Sequence, residues 1–120
     1  MINSVVLMGR ITQDIELKST TGGTSVIQFT MAVDRNFSKK GEEKQTDFIS
    51  CVAWKQTAEF ISKHFSKGRM IAVTGRLQSR TYDDKNGSKH YVTEVIVEQA
   101  SFTGEPKQTE QTEQEEEYPF

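Results

Sequence analysis

Stretches in which apolar and polar residues alternate recur along roughly the first hundred positions, the spacing of strands that bury one face. Residues 5–11 (VVLMGRI) form a predicted first strand, with Val5, Leu7, Gly9 and Ile11 on one side and Val6, Met8 and Arg10 on the other. A turn at Thr21-Gly22-Gly23 leads into a second, residues 26–34. There Ile27, Phe29, Met31 and Val33 share one face, and Gln28, Thr30, Ala32 and Asp34 the other. Residues 39–44 (KKGEEK) are a charged, glycine-bearing connection, and residues 47–55 a third strand. The period then changes. Ala58, Ile61 and Phe65 fall at i, i+3 and i+7, which predicts one helix over 56–65, closed by Lys67-Gly68. Residues 70–77 are a fourth strand, and Asp84-Lys85-Asn86-Gly87-Ser88 is a hairpin tip of the Asn-Gly type. Residues 90–102 are a long fifth strand, with Val92, Glu94, Ile96 and Glu98 on one face and Thr93, Val95 and Val97 on the other.

The predicted fold is therefore all-β with one helix, in the order β-β-β-α-β-β. That is the order of the OB-fold, a five-stranded Greek-key barrel with its helix between strands three and four, which often binds oligonucleotides across its strand 2–3 face. A split sheet-plus-helix fold is the rival. At 120 residues the chain makes one domain with a single modest core. No internal repeat is visible.

From Gly104 the composition shifts. The run GEPKQTEQTEQ has almost nothing apolar to bury and cannot recover its ordering entropy, so residues 104–120 are expected to be a disordered tail behind a domain of residues 1–103. The tail ends on Glu115, Glu116, Glu117, Tyr118, Pro119 and Phe120. Such a tip is built like a hook: acids steer it to a basic surface, Phe120 fills an apolar pocket, and a terminal carboxylate pairs with a cation. The bland alternative is a solvated tail.

Charge divides the same way. Six of the 17 acids but only one of the 15 bases lie in 104–120, leaving the tail at −5 and residues 1–103 at +3 within a net −2. A mildly basic body with an acidic tail suggests a polyanion partner. The single Cys51 rules out an internal disulfide and any multi-cysteine metal site, and fits a reducing compartment. The first residues carry no basic leader and no long apolar run, so the expected setting is cytoplasmic, with no membrane partner.

Enzyme chemistry is poorly supplied. His64 and His90 stand in no metal-ligand spacing, and no nucleophile elbow, zincin, P-loop or dinucleotide fingerprint appears. Cys51 sits inside a strand pattern, where a small buried residue is the favoured role. No catalytic site, metal or cofactor is expected.

Aromatics set among bases are better supplied. Phe37 lies in the loop of residues 35–40 beside Lys39 and Lys40; Phe48 and Trp54 share parity on the third strand, followed by Lys55; Tyr82 lies beside Arg80 at the base of the hairpin. Every base of a single strand has a π-face, so aromatic platforms bind it whatever its identity, while cations track the phosphates. The candidate phosphate contacts beside these rings are Arg35, Lys39, Lys40, Lys55 and Arg80. Arg10, Lys67 and Arg76 either line a groove or merely solvate a surface. The third strand is apolar on both faces, so one face is core and the other must be covered by a ligand, another subunit or the helix. For Trp54, plain core is the alternative.

Together these pieces resemble a bacterial or phage single-stranded DNA-binding protein of the homotetrameric OB-fold type. The resemblance rests on NSVVLMGRITQD from Asn3, Thr46-Asp47-Phe48, Cys51-Val52-Ala53-Trp54, Phe65-Ser66-Lys67-Gly68, Val73-Thr74-Gly75-Arg76-Leu77, YDDKNG from Tyr82 and Thr93-Glu94-Val95. It implies a non-enzymatic protein that binds and protects single-stranded DNA, with stacking aromatics at Phe37, Phe48, Trp54 and Tyr82. It further implies a homotetramer that wraps one strand, a nucleoid-associated place in the cytoplasm, and an acidic Pro-Phe tip that recruits replication, repair and recombination proteins. Tyr118 departs from the small aliphatic residue more usual before the proline. Two other classes stay open beside this: a protein-interaction module on an OB-like barrel, and an RNA-binding OB protein.

Overall fold

Every long element predicted from the alternation is present, with ends shifted by a residue or two and one strand extended. A computed structural model of the chain describes residues 1–36, 39–41 and 43–104. Its elements are β1 (Val5–Ile11), β2 (Lys18–Ser19), β3 (Ser25–Asp34), β4 (Thr46–Trp54), α1 (Lys55–His64), β5 (Met70–Asp83) and β6 (Lys89–Ser101). The strands form one sheet in the order β1-β5-β6-β4-β3-β2, closed by pairing of Arg10 with Ala32 and Ile11 with Met31 across β1 and β3. β4 runs parallel to β6, and the other pairings are antiparallel. This is the OB-fold barrel, carrying β2 as a short extra strand on the edge of β3.

The inward parity supplies the core. Ile27, Phe29 and Met31 of β3 meet Cys51 and Ala53 of β4, Ile71 and Val73 of β5, and Val95 and Val97 of β6. Ala58 and Ile61 of α1 close the barrel from one end, joined by Phe65. The helix stops at Phe65, whose N–H donates to the Ile61 carbonyl. That is three residues before Gly68, which instead donates its N–H to the Ile11 carbonyl at 2.8 Å. The helix also starts abruptly: Trp54 is still extended, and Lys55 turns the chain with φ at 57°, a left-handed conformation that costs a non-glycine residue about 1–2 kcal/mol.

Burial removes the one cysteine from chemistry. Cys51 is about 1% exposed, and desolvation pushes its thiol up to about 12, so it stays protonated at neutral pH.

Three local features differ from the alternation reading. β5 continues to Asp83 rather than ending at Leu77. Its segment from Leu77 to Asp83 is exposed throughout, so polarity carries no period there, and the strand is held by its ladder with β6. β2 is two residues long, too short to show a period at all. The hairpin tip is wider than a two-residue Asn-Gly turn. Asp84 donates its N–H to the Ser88 carbonyl, its carboxylate Oδ1 accepts from the N–H groups of Asn86 and Ser88, and only Gly87 adopts positive φ, at 81°.

Two outcomes follow from this architecture. Between Thr74 and Gly75 the β5–β6 register shifts, and a Cβ on Gly75 would run into the backbone carbonyl of Ile96. Gly75→Ala is expected to destabilise the domain by about 1–3 kcal/mol, read as a lower denaturant midpoint at unchanged slope. At the tip, hydrogen bonds from His90 and then from the Ser88 amide hold the Asp84 carboxyl below the usual carboxylate range. A depressed folded pKa contributes stability above the unfolded value, near 3.9, that is lost as pH falls through the folded one. Amide exchange at Asn86 and Ser88 is therefore expected to lose protection below about pH 4, before the core amides do.

Candidate nucleic-acid interface

Directly paired residues on neighbouring strands point to the same side of a sheet, so the register defines the outer surface of the barrel row by row. One row runs Arg10–Ala32–Phe48, the next Thr30–Ser50. A third runs Gln28–Val52–Ile96–Arg76, and the last on β4 is Val26–Trp54. On the hairpin of β5 and β6 the outer pairs are Gln78–Glu94, Arg80–Val92 and Tyr82–His90. The outer parity of β4 thus continues across β6 onto β5, making one surface from three strands that are distant in sequence.

The aromatic rings lie on that surface. Phe48 is 68% exposed, Trp54 41% and Tyr82 47%. Those exposures decide the alternative for Trp54: it is a surface ring, outside the core cluster. Phe29 and Phe65 are buried, and Phe60 packs partly buried beside the core. Phe48 and Trp54 are six residues apart on one strand, about 20 Å along it. Helix α1 does not cover this face; it caps the barrel end through Ala58 and Ile61.

Trp54 forms one wall of a groove of about 470 Å³. Val26, Gln28 and Ile96 contribute to it from the strands, Gln78, Arg80 and Glu94 from the hairpin, and Gln13, Asp14 and Glu16 from the loop after β1. A second hollow of about 240 Å³ shares Gln13, Gln28, Arg80 and Glu94 and extends to Ser50 and Val92. The two make a continuous channel bounded by the β1 loop and the β5–β6 hairpin. These are the two loops between which OB-folds grip oligonucleotides.

The charges along the channel are organised rather than uniformly positive. Asp14, Glu16 and Glu94 line it beside Lys18 and Arg80. Glu94, 6% exposed, is the one buried charged residue among those described, and its Oε1 accepts from Arg80 Nε at 2.9 Å. The Arg80 guanidinium lies over the Tyr82 ring, 5.9 Å from its centroid. Tyr82 stacks in turn on His90, with centroids 5.1 Å apart and planes 18° from parallel. His90 Nε2–H donates to Asp84 Oδ2 at 2.7 Å.

The other predicted cations fare differently. Arg35 is forked onto Asp47 through Nε and a terminal nitrogen, and its third nitrogen donates to the Gln45 side-chain oxygen. That hydrogen bonding raises Arg35 above its ordinary value and holds the Asp47 carboxyl below its own. Arg35 therefore braces the base of the β3–β4 loop, next to Phe48. Arg10 donates to the Gly68 carbonyl and shares a register row with Phe48, and Lys67 is exposed in the turn just before that carbonyl. Arg76 lies 3.7 Å from Glu98. Lys39, Lys40 and Lys55 are exposed. Phe37 and the tip residues Glu115, Glu116, Glu117, Tyr118, Pro119 and Phe120 lie outside the described residues.

Sequence reasoning placed Gln28 and Glu94 on strand faces but assigned them nothing, and it passed over Gln13, Ser50, Gln78 and His90 as groove or hairpin groups. Strand parity was the available signal for those on strands. Nothing in local spacing joins the β1 loop to the hairpin. Among the described residues no cluster of histidine, cysteine, aspartate or glutamate suits a metal ion, and no helix is long and apolar enough to cross a membrane.

Known proteins resemble this chain over nearly all of the described region. The model of the single-strand binding protein family matches residues 2–103. Single-stranded DNA-binding protein 1 of Streptococcus pyogenes is 49% identical over 98 residues, covering 82% of this chain and 75% of that protein. Single-stranded DNA-binding protein 3 of Clostridium acetobutylicum is 49% identical over 102 residues, covering 84% and 70%. Single-stranded DNA-binding protein 1 of Staphylococcus aureus is 43% identical over 115 residues, covering 96% and 73%. A match of that extent, on a barrel whose outer face carries exposed aromatic rings beside a groove, establishes that the chain belongs to the single-strand binding protein family.

Proposed function

We propose that this protein binds single-stranded DNA without reading its sequence, by stacking bases on Phe48, Trp54 and Tyr82 and drawing phosphates to the surrounding cations. The observation that carries the reading is the position of three exposed rings on one continuous outer face of the barrel. Stacking suits sequence-tolerant binding because all four bases present a flat π-surface, and each stacked base is worth about 1–3 kcal/mol. The names of the relatives support DNA as the polymer. Phe37 is the fourth stacking position in this proposal. Arg10, Lys39, Lys40, Lys55, Lys67, Arg76 and Arg80 are the phosphate contacts, and Arg35 acts there chiefly by bracing the loop.

The working form is a homotetramer, through which one strand passes from subunit to subunit. Among the described residues, the β1 edge from Val5 to Gly9 has a strand partner on the β5 side alone, and the outward Val6 and Met8 are exposed. A second copy joining there satisfies the free backbone groups and covers both side chains. In the cell the protein protects and organises single strands at the nucleoid during replication, recombination and repair. It recruits partner proteins through the tail of residues 104–120, with Glu115, Glu116 and Glu117 steering and Phe120 anchoring. Tyr118, beside the proline, weakens or redirects some of those contacts.

The test is a titration with oligo-dT following Trp54 fluorescence, at low and high salt, with duplex DNA and oligo-U as controls. Strong quenching by oligo-dT alone and a steep loss of affinity with salt are expected. The variants are read by the anisotropy of labelled oligo-dT, because Trp54 is the only tryptophan. A drop of about five- to a hundredfold is expected in Phe48→Ala and Trp54→Ala. Binding unchanged in both variants would remove the stacking mechanism, and equal binding of oligo-U would make the protein a general single-strand binder.

The acidic tail, at −5 beside a body at +3, competes with DNA for the cationic surface. Deleting residues 105–120 is expected to tighten oligo-dT binding at low salt and to leave it nearly unchanged at high salt, where screening weakens both contacts. Equal affinity of the two forms at low salt would exclude the competition.

A further inference from the structure

We propose that His90 is a positioning residue for single-strand binding, which holds the Tyr82 ring in its base-ready orientation before DNA arrives. The inference rests on the reading of Tyr82 as a stacking platform and assigns His90 a role in that site.

The hairpin needs such a device. Past Gln78 on β5 and up to Tyr91 on β6 the side chains are exposed, so no core packing fixes a ring there. A two-stranded ribbon in water depends on its cross-strand pairs for order. Tyr82 and His90 are direct partners in the register and stack with centroids 5.1 Å apart. The histidine ring is itself pinned, because Nε2–H donates to Asp84 Oδ2 at 2.7 Å. Asp84 in turn is fixed by the Asn86 and Ser88 amides of the tip. On the barrel side, Arg80 reaches over the same tyrosine ring while tied to the buried Glu94. Tyr82 is thus held by contacts with a ring anchored to the tip and with a cation anchored to the channel floor, while it stays 47% exposed. Holding it there means that the entropy of ordering the ring is lost on folding and not again on binding.

Stacking of His90 on Tyr82 distinguishes this role from a general contribution to hairpin stability, since a positioning residue acts only through the residue it positions. The experiment is a double-mutant cycle on the full chain. Wild type, His90→Ala, Tyr82→Ala and the double variant are titrated with fluorescein-labelled oligo-dT by anisotropy, with thermal melts to verify folding. His90→Ala is expected to weaken binding about three- to tenfold in the wild-type background and to have almost no effect in the Tyr82→Ala background. His90→Phe, which keeps a ring against Tyr82, is expected to recover most of the loss.

An equal loss in both backgrounds, no loss in either, or a His90→Phe variant as weak as His90→Ala would each overturn the inference while leaving Tyr82 as a stacking residue. Wild-type affinity in Tyr82→Ala would instead overturn the stacking role of Tyr82 and the positioning role with it. The two failures are therefore distinguishable.

Discussion

The parallel pairing of β4 with β6 is the contact on which the rest of the structure depends. Cys51 sits opposite Val95, Val52 opposite Ile96, and Ala53 opposite Val97. Parallel neighbours cannot be joined by a tight turn. Here the chain leaves β4 through α1, returns as β5, and reaches β6 only after a hairpin. That route sends the helix to the end of the barrel, where Ala58 and Ile61 plug the core. It also leaves the outer side of β4 without a covering element. Because paired residues face the same way, the pairing carries the Phe48–Trp54 side of β4 directly onto the Glu94–Arg80–Tyr82 side of the hairpin. One set of backbone bonds thus closes the core and assembles the outer surface.

Much of this was legible in the order of residues because β3 obeys a period of two. Ile27, Phe29 and Met31 against Gln28, Thr30 and Ala32 on β3 announced which side was core, and burial follows that division. Legibility failed where polarity stops reporting burial. Leu77 to Asp83 is a strand with both faces in water, so only the ladder with β6 reveals it. The helix end was placed to within a residue, but for the wrong reason: Gly68 is not the stop, because the chain leaves the helix at Phe65 to place that ring in the core. Of the site, the rings were visible as residue types, but their common surface was not, since it depends on pairings such as Val52 with Ile96 across some forty residues. The cations were visible too, while their partners were hidden. No spacing rule couples Arg35 to Asp47 or Arg80 to Glu94.

Those couplings alter the electrostatic picture. A body charge of +3 is small, and the channel carries Asp14, Glu16 and Glu94 among its lining groups. Long-range attraction from net charge is correspondingly weak, and at physiological ionic strength it decays within about 8 Å. In the proposed complex, affinity for a polyanion then comes from cations in register with the backbone and from the faces of the rings. Arg80 illustrates how a cation is kept useful inside such a mixed field. Its guanidinium is 45% exposed at the side chain, while Glu94 beneath it is 7% exposed. The acid engages Nε, one of five N–H donors, while Arg80 still lines the channel, so the arginine is oriented by the pair rather than neutralised as a hydrogen-bonding group.

Glu94 also shows why this arrangement is not a stability device. A carboxylate brought that far out of water loses hydration that one partially exposed arginine restores only in part, and buried ion pairs commonly do no better than an apolar replacement. The outer position next to Ile96 and Val52 would accept an aliphatic side chain, since both neighbours are already buried. An ion pair is a sensible occupant only if its geometry matters more than its energy. What it supplies is direction: a guanidinium held across the Tyr82 ring at the mouth of the channel, at the point where the barrel hands the surface over to the exposed hairpin. The cost in folding energy falls on the domain, and the ordered ring and cation stay exposed, where the proposed binding would make use of them.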